Sequence, residues 1–531
     1  MNAATPYLRT LAAEPARPAI CEPGGRQITF GDLLRRVVAL AEHLRHAGMT
    51  SGECVVMQVP NGVEFASAAL AVLLVGGVPV LIEPGLGDEV YLSRVRACRP
   101  RWLLIHPLIV WVNRLPGLSS FLQKRELDVP PVPPLEDGMQ KVTITAGLLD
   151  KLAAGPVDID RFAAAERSPE DDGILVFTGG TTSMPKGVRL AHGALDHYIA
   201  HISSALEGHA LEHFLADTPQ QVLYALRLGK TAFITKGRKQ KRARHVLSLV
   251  RAEKIDAYFG SPYVWMEMMA QAGENCGRLP PSLKTVLLGG APVTADFLRV
   301  LREWLAPGTD VLVLYGMTEA GPVCAVRAAD KLAFAGTGDL VGEPLAGVTV
   351  SIADPDTQGV GEVVVNSPSL YSGYLGQPER TADDGLHTGD IGRYTAVDGR
   401  QMLTLLGREK DMIIRSGVNI YPVSFEANIR AIAAPRGQRL LRECAMIGLW
   451  NPARQDEDVV LCLEPAVGAA LSLASIQPEI ERLCGTDAKP DHYLMLDSIP
   501  VTGRQNKVDK QALRRLAQAR LGLPPRQEER A

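Results

Sequence analysis

Residues 177–188 read FTGGTTSMPKGV, directly after an apolar run, 174–178, whose composition predicts a strand. One loop thus gathers Gly179, Gly180 and Gly187, the hydroxyls of Thr178, Thr181, Thr182 and Ser183, and the ammonium of Lys186. Glycines let backbone N–H groups approach phosphate oxygens, the threonines add donors, and the lysine adds a cation. A plain glycine-rich turn has the same look when met alone. The spacing is not the G-x-x-x-x-G-K-[ST] of a Walker loop, so the usual nucleotide-triphosphatase reading fails.

Working outward, short β-rich runs alternate with longer helical patterns. Residues 55–58, 78–82, 102–105, 285–288 and 311–315 read as strands, and 30–46 and 295–305 carry apolar residues at helical spacing. Strands separated by helices predict α/β layers with largely parallel sheets. The uncharged stretch 65–82 approaches membrane-spanning length, but Gly76, Gly77 and Pro79 interrupt it, so it reads as a buried helix turning into a buried strand. Proline-rich residues 128–137 (DVPPVPPLED) read as an exposed connector. From about residue 336 closely spaced strands with glycine turns predict a smaller β-rich subdomain, 336–407, and residues 408–531 have the size of one small domain.

Length and composition bound the function. The 531 residues suggest three or four folding units at roughly 150 residues each. A net charge of −3 supplies no global field for nucleic acid, so none is expected as a partner. The eight cysteines form no C-x-x-C pair, which fits a reducing cytosol, and the first residues lack the apolar core of a signal peptide. A soluble cytoplasmic protein without an integral membrane segment is the expectation.

Further clusters carry chemistry. Residues 314–320 (LYGMTEA) close an apolar strand; an aromatic there can stack on a base, and a carboxylate just beyond a turn glycine can hold Mg²⁺. Residues 387–390 (HTGD) place an Asp behind a tight glycine turn, where it can accept hydrogen bonds from vicinal hydroxyls. Residues 407–422 (GREKDMIIRSGVNIYP) and 500–510 (PVTGRQNKVDK) follow, the latter a polar loop carrying Lys507.

Taken together and in this order, with LLGGAPV (287–293), VGEPLAGV (341–348) and GYLGQPE (373–379), these motifs resemble the adenylate-forming (ANL) superfamily of acyl-CoA synthetases, peptide-synthetase adenylation domains and luciferases. The resemblance runs from about residue 18 to 513. It implies a large N-terminal adenylation domain, 1–407, of layered α/β sheets plus the β-rich subdomain, and a small mobile α+β C-terminal domain, 408–531, hinged at Lys410. It places Thr178, Thr181, Thr182 and Lys186 on the β- and γ-phosphates of ATP. Gly290, Ala291 and Pro292 line the adenine pocket, with Tyr315 stacked on the base. Thr318 contacts the α-phosphate, Glu319 holds Mg²⁺, and Asp390 and Arg408 bind the ribose. Lys507 is the adenylation lysine, and Gly417 lines the tunnel for an incoming thiol, that of CoA or of the phosphopantetheine on an acyl carrier protein.

The chain also departs from the pattern. Gly179 stands where many members have serine, Ser183 where glycine is usual, and Asn506 where glycine precedes the terminal lysine. Between 195 and 235, where relatives show an aromatic or histidine near the acyl pocket, this chain has Gln220 and Gln221. Asp217 lies within about one position of the aspartate that grips an amino group in amino-acid adenylation domains; a helix-capping Asp before Pro219 is the plainer reading. The basic run 236–245 (KGRKQKRARH) reads either as a solvated face or as a dock for CoA phosphates or an acidic carrier protein. His197/His201 and His209/His213 sit at helical i, i+4 spacing without an evident third ligand, so a metal site is not expected there.

The implied activity is ATP-dependent conversion of a carboxylic acid, fatty or otherwise hydrophobic, to acyl-AMP, followed by transfer to CoA or a carrier thiol. Because the chain stops soon after Lys507, the acceptor is expected from solution. A β-lactone synthetase acting on a 3-hydroxy acid is an alternative, since residues 78–87 (VPVLIEPGLG) and 259–262 (FGSP) look similar to that branch. A non-adenylating relative that only binds an acyl-adenylate is another; intact Lys186, Glu319, Asp390 and Lys507 count against it.

Overall fold

The uncharged stretch 65–82 becomes helix Val63–Val75 and strand Val78–Ile82 in the computed structural model. That model describes residues 2–82, 88–115, 129–134, 138–159, 161–177, 186–209, 211–235, 239–252, 255–272, 278–380, 384–416, 418–433, 440–469, 471–502 and 507–523; the side chains of 239–242, 502 and 507 lie outside the description as well. Gly76 ends the helix in the left-handed region (φ 88°), where a side chain would be strained. Every residue of the helix except Glu64 is buried. A helix apolar on all sides is packed on all sides, and this one runs between two sheets beside Phe30–His46 and Pro219–Arg227. Each fully buried Leu or Val there contributes roughly 1.5–3 kcal/mol. Among the described residues no helix is long and apolar enough to cross a membrane.

The first sheet has seven strands, ordered Gly373–Tyr374, Gly187–Ala191, Asp172–Phe177, Val78–Ile82, Cys54–Gln58, Trp102–Ile105 and Gln140–Thr143. Its last five are mutually parallel, and Gly187–Ala191 pairs antiparallel with both of its neighbours, Asp172–Phe177 and Gly373–Tyr374. Helices Asp88–Ala97 and Pro107–Arg114 cover its outer face. Residues 129–134, expected to be an exposed connector, instead pack there. Pro133 is buried, Val129 and Val132 rest on the apolar face, and the carbonyl of Pro131 accepts from Gln58 Nε2 at 2.8 Å. The buried amide of Gln58 needs an acceptor, and a proline-rich segment has carbonyls free of any ladder to supply one.

The second sheet has thirteen strands. At one edge Gln27–Thr29 pairs antiparallel with the first strand of a parallel run, Pro18–Cys21, Thr231–Ile234, His213–Ala216, Ala257–Gly260, Thr285–Leu288 and Asp310–Met317. It continues as antiparallel strands from Gly321–Arg327 through Asp339–Pro344, Arg400–Arg408, Leu386–Val397, Gly361–Asn366 and Thr349–Ala353. Helices Lys239–Ala252, Pro262–Ala272 and Ala295–Trp304 cover the outer face of the parallel part. The two sheets and their helices form the layered α/β architecture that the sequence predicts.

After Arg408 a separate three-stranded sheet, Leu441–Asn451, Asp456–Pro465 and His492–Met495, carries apolar residues on both faces. Val423–Arg430 and Leu473–Cys484 pack on one face and Lys510–Leu521 on the other, all drawing on residues beyond 412. The exposed 3₁₀ turn Glu409–Asp411 leads into it.

Candidate active site

Three neighbouring parallel strands end at one place. Strand Thr285–Leu288 lies between Ala257–Gly260 and Asp310–Met317, with Leu287 opposite Phe259 and Leu312. Ligands of open α/β sheets bind outside the carboxyl ends of such strands. Gly290, Ala291 and Pro292 follow the central strand there, Gly290 with φ 79° and both Gly290 and Pro292 exposed. A Cβ on the preceding Gly289 would stand 3.1 Å from the Phe259 ring and 3.2 Å from the Leu314 carbonyl. Glycine therefore lets this turn sit flush against both neighbours.

Tyr315 stands at the end of the next strand, and its hydroxyl donates to Asp390 Oδ2 at 2.6 Å. The other carboxylate oxygen faces Arg408 Nε at 2.6 Å, because Asp390 and Arg408 are direct cross-strand partners. Asp390 is 4% exposed. Burial and the adjacent carboxylate raise the Tyr315 hydroxyl far above the ordinary phenol range, so it remains a donor. The sequence placed Asp390 behind a tight glycine turn. It lies instead within strand Leu386–Val397, after Gly389 in the left-handed region (φ 67°) and just before a register shift at Ile391/Gly392. A kinked strand, not a loop, aims the carboxylate.

The turn bearing Thr318 and Glu319 also differs from expectation. Gly316 is part of the strand, opposite Pro322, and the turn is residues 318–320, closed by Met317 opposite Gly321. A Cβ on Gly316 would fall 2.3 Å from the Gly321 carbonyl, so its role is close strand approach. The Glu319 carbonyl accepts from Tyr371 N at 2.8 Å, and the Ala320 carbonyl from Ser369 Oγ at 2.6 Å. Glu319 Oε1 accepts from the hydroxyl of Tyr374 at 2.9 Å.

Strands Asp172–Phe177 and Gly187–Ala191 pair with Phe177 opposite Gly187, so the glycine- and threonine-rich loop joins a hairpin. Residues 178–185, with Thr178, Thr181 and Thr182, lie outside the described residues. Lys186, exposed at the second strand's start, holds its ammonium 5.2 Å from the centroid of the Tyr374 ring. Lys186 and Glu319, 133 residues apart in sequence, thus meet at the same tyrosine. Tyr374, inside GYLGQPE, does not stand out in the sequence, because an aromatic next to a glycine is too common a pattern to mark a site.

On the C-terminal side, Lys507 begins a two-residue strand whose backbone pairs with Thr502, while its side chain and Gly417 lie outside the described residues. Lys410 is exposed in its 3₁₀ turn, and its carbonyl accepts from Arg514 Nη2 at 3.2 Å.

The segment expected to line the acid pocket is built differently from its reading. The cap of helix Pro219–Arg227 is Thr218, not Asp217: Thr218 Oγ1 accepts from Gln221 N, and Gln221 Oε1 accepts from Thr218 N and, at 2.8 Å, from Asp217 N. Gln221 Nε2 donates to the Phe259 carbonyl at 2.7 Å. Asp217 Oδ2 accepts from Tyr258 at 3.0 Å. A capping box needs Thr and Gln three apart, and 218–221 supplies both. Stacked Tyr198 and Tyr224, 5.8 Å between centroids, lie nearby and were not anticipated; a Cβ on Gly321 would fall 2.7 Å from the Tyr198 ring.

Of the histidines, His197 and His201 share helix His192–Ala205, where His201 Nδ1 meets Ser369 Oγ at 3.3 Å. His209 and His213 share no helix: His209 lies in the turn after that helix and faces Asp310 at 3.0 Å, and His213 begins a strand. Gly208 and the paired strands of the sheet override the helical spacing. Of the basic run, 236–238 lie outside the described residues, 239–245 start helix Lys239–Ala252, and Arg244 Nε donates to Gln271 at 2.8 Å.

Comparisons with known proteins place the chain in a family. The family model for AMP-binding enzymes matches residues 8–375. A feruloyl-CoA synthase of an Amycolatopsis species is 29% identical, covering 95% of this chain and 98% of its own. The 2-succinylbenzoate–CoA ligase of Bacillus mycoides is 28% identical, covering 78% and 79%. Among solved structures, the amide bond synthetase McbA from Marinactinospora thermotolerans superposes with a TM-score of 0.76 at 24% identity over 97% of this chain and 99% of that one. By the extent of the family match, this chain belongs to the AMP-binding enzyme family, the adenylate-forming superfamily that its motifs resemble.

Proposed function

We propose that this enzyme joins a carboxylic acid to the AMP moiety of ATP, releasing pyrophosphate, and then passes the acyl group to the thiol of CoA or of a carrier-bound phosphopantetheine. The observation that carries the reading is that Tyr315 and Arg408 meet at the buried carboxylate of Asp390, while Lys186 and Glu319 meet at Tyr374, with Tyr315 and Glu319 four residues apart on one strand and its turn. The first offers a carboxylate for ribose hydroxyls beside an aromatic wall for the base. The second offers a cation and a carboxylate at the mouth of a glycine- and threonine-rich loop.

Magnesium suits this donor set. Among the described residues no three His, Cys, Asp or Glu side chains converge as a caged metal would require. Mg²⁺ asks for one or two carboxylates and takes its other ligands from water and phosphate, and Glu319 would hold it. When bound, the ion neutralises phosphate charge. Lys186 and the threonines of the loop orient the β- and γ-phosphates, Thr318 the α-phosphate, and Asp390 and Arg408 the ribose. The acid's oxygen attacks the α-phosphorus in line, the bond to the bridging oxygen of pyrophosphate breaks, and Lys507 offsets the repulsion between the two anions. For the second step, residues 408–531 turn about Lys410, which withdraws Lys507 and brings the segment around Gly417 toward a thiol. The thiolate sulfur then attacks the acyl carbonyl and AMP leaves. The aromatic content of 5% and the many aliphatic side chains suit a hydrophobic acid, and cytoplasmic CoA or a separate carrier protein supplies the acceptor.

The second reading, closure of a β-lactone from a 3-hydroxy acid, is favoured by residues 259–262 (FGSP), which run off the carboxyl end of strand Ala257–Gly260, beside the strand that leads to Gly290. Screening acids for AMP release, with and without CoA, with 3-hydroxy acids and with an amine acceptor, separates these outcomes. CoA-stimulated AMP release supports the thiol ligase; CoA-independent turnover of 3-hydroxy acids supports the lactone. Absence of both AMP and pyrophosphate with every acid overturns acid activation.

A further inference from the structure

Tyr374 stands between two groups of opposite charge. Its hydroxyl donates to Glu319 Oε1 at 2.9 Å, and its ring meets the Lys186 ammonium at 5.2 Å from the centroid. The ring is held from several sides. Tyr374 pairs with Val188 and Gly373 with Arg189, Leu375 N donates to the Gly187 carbonyl at 2.8 Å, and the Tyr371 ring meets it edge-on at 5.0 Å. Arg189 fixes the same segment, binding Asp172 at 3.0 Å and Glu379 at 3.0 Å. Tyr371 N, in turn, holds the Glu319 carbonyl, so one short stretch anchors both the backbone and the side chain of Glu319.

We propose that Tyr374 is a positioning residue that keeps Lys186 and Glu319 apart and aimed, the cation for a phosphate and the carboxylate for the divalent metal. This rests on the roles given to those two residues above. A lysine and a glutamate free to meet would form a direct ion pair, which a nucleotide and a metal would have to break. A neutral tyrosine offers each a weaker partner: a ring face for the ammonium and an O–H for one carboxylate oxygen. Both contacts exchange readily when phosphate and metal arrive.

The two contacts separate by substitution. Tyr374→Phe retains the ring and removes the hydroxyl; Tyr374→Leu removes both. The measurement is binding: free Mn²⁺ followed by electron paramagnetic resonance in the enzyme–ATP complex, and ATP affinity by equilibrium dialysis without metal. Tyr374→Phe should weaken Mn²⁺ binding about 5-fold, the size of one lost hydrogen bond, and leave metal-free ATP affinity within about 2-fold. Tyr374→Leu should add a loss of about 3-fold or more in metal-free ATP affinity. Glu319→Gln and Lys186→Met are the reference variants. If Glu319→Gln leaves Mn²⁺ affinity unchanged, the metal assignment itself fails. If it weakens Mn²⁺ binding while Tyr374→Phe, with an unchanged thermal midpoint, does not, the positioning role is overturned. Should Tyr374→Leu not fold, the Phe variant alone decides the hydroxyl's part, and Tyr374→Trp, which keeps an aromatic face, decides the ring's: metal-free ATP affinity near wild type supports the role and a loss of about 3-fold or more overturns it.

Discussion

The two ends of the proposed site, one assigned to the nucleotide and one to the acid, are built on different principles. At the nucleotide end the polar groups sit on strands or directly at their ends and hold each other: Tyr315 and Arg408 each take one oxygen of Asp390, and Tyr374 stands between Lys186 and Glu319. At the acid end the polar side chains that drew attention in the sequence serve the fold. Gln221 completes a capping box and binds the Phe259 carbonyl, and Asp217 accepts from Tyr258. A ligand common to a whole family can be met by preset groups. A variable acid is met by whatever packing leaves open. Charge is arranged for the first, shape for the second.

Four experiments break or sharpen this contrast. The largest effect is expected for Lys507→Ala, which should lower acid-dependent pyrophosphate exchange roughly a hundred- to a thousand-fold, as loss of one transition-state donor does. Exchange near wild type would remove Lys507 from the nucleotide end. Asp390→Asn keeps the shape and removes the charge, so the KM for ATP should rise about 10- to 100-fold, the range of a charge-assisted hydrogen bond, with the order of preferred acids unchanged. A reordered acid profile would mean the two ends are not separate. Lys410→Pro should leave adenylation within about 3-fold while thioester formation drops at least 10-fold, because one backbone rotation serves only the second step. Equal loss in both would count against a hinge. The smallest effect belongs to Gln221→Ala, expected to cost about 1–2 kcal/mol of unfolding free energy from the lost cap and hydrogen bond, with acid preference unaltered. Unchanged stability with altered preference would return Gln221 to the acid pocket.

Where local rules suffice, the reading of the chain held closely. Helix Phe30–His46 begins at the capping Thr29, and strands such as Trp102–Ile105 and Thr285–Leu288 are short apolar runs bounded by polar residues. Its misses share a cause. Residues 129–134 look solvent-loving because of their prolines, yet the buried amide of Gln58, seventy-three residues from Pro131, needs their carbonyl. His209 and His213 have helical spacing, but sheet pairing claims His213. Asp217 looks like a cap because Pro219 follows, whereas Thr218 stands at the position whose side chain reaches Gln221 N.

The amino-acid sequence by itself determined the α/β layering, the family, and the residues Lys186, Thr318, Glu319, Tyr315, Asp390 and Arg408 as candidates, because hydrophobic period and motif spacing are local properties of the chain. Only the tertiary structure decided that Asp390 faces Arg408 across a strand pair, that Tyr315 donates to the same carboxylate, and that Tyr374 stands between Lys186 and Glu319. Those are meetings of groups from 18 to 188 residues apart. Strand order and register bring them about, and no local pattern in the chain encodes either.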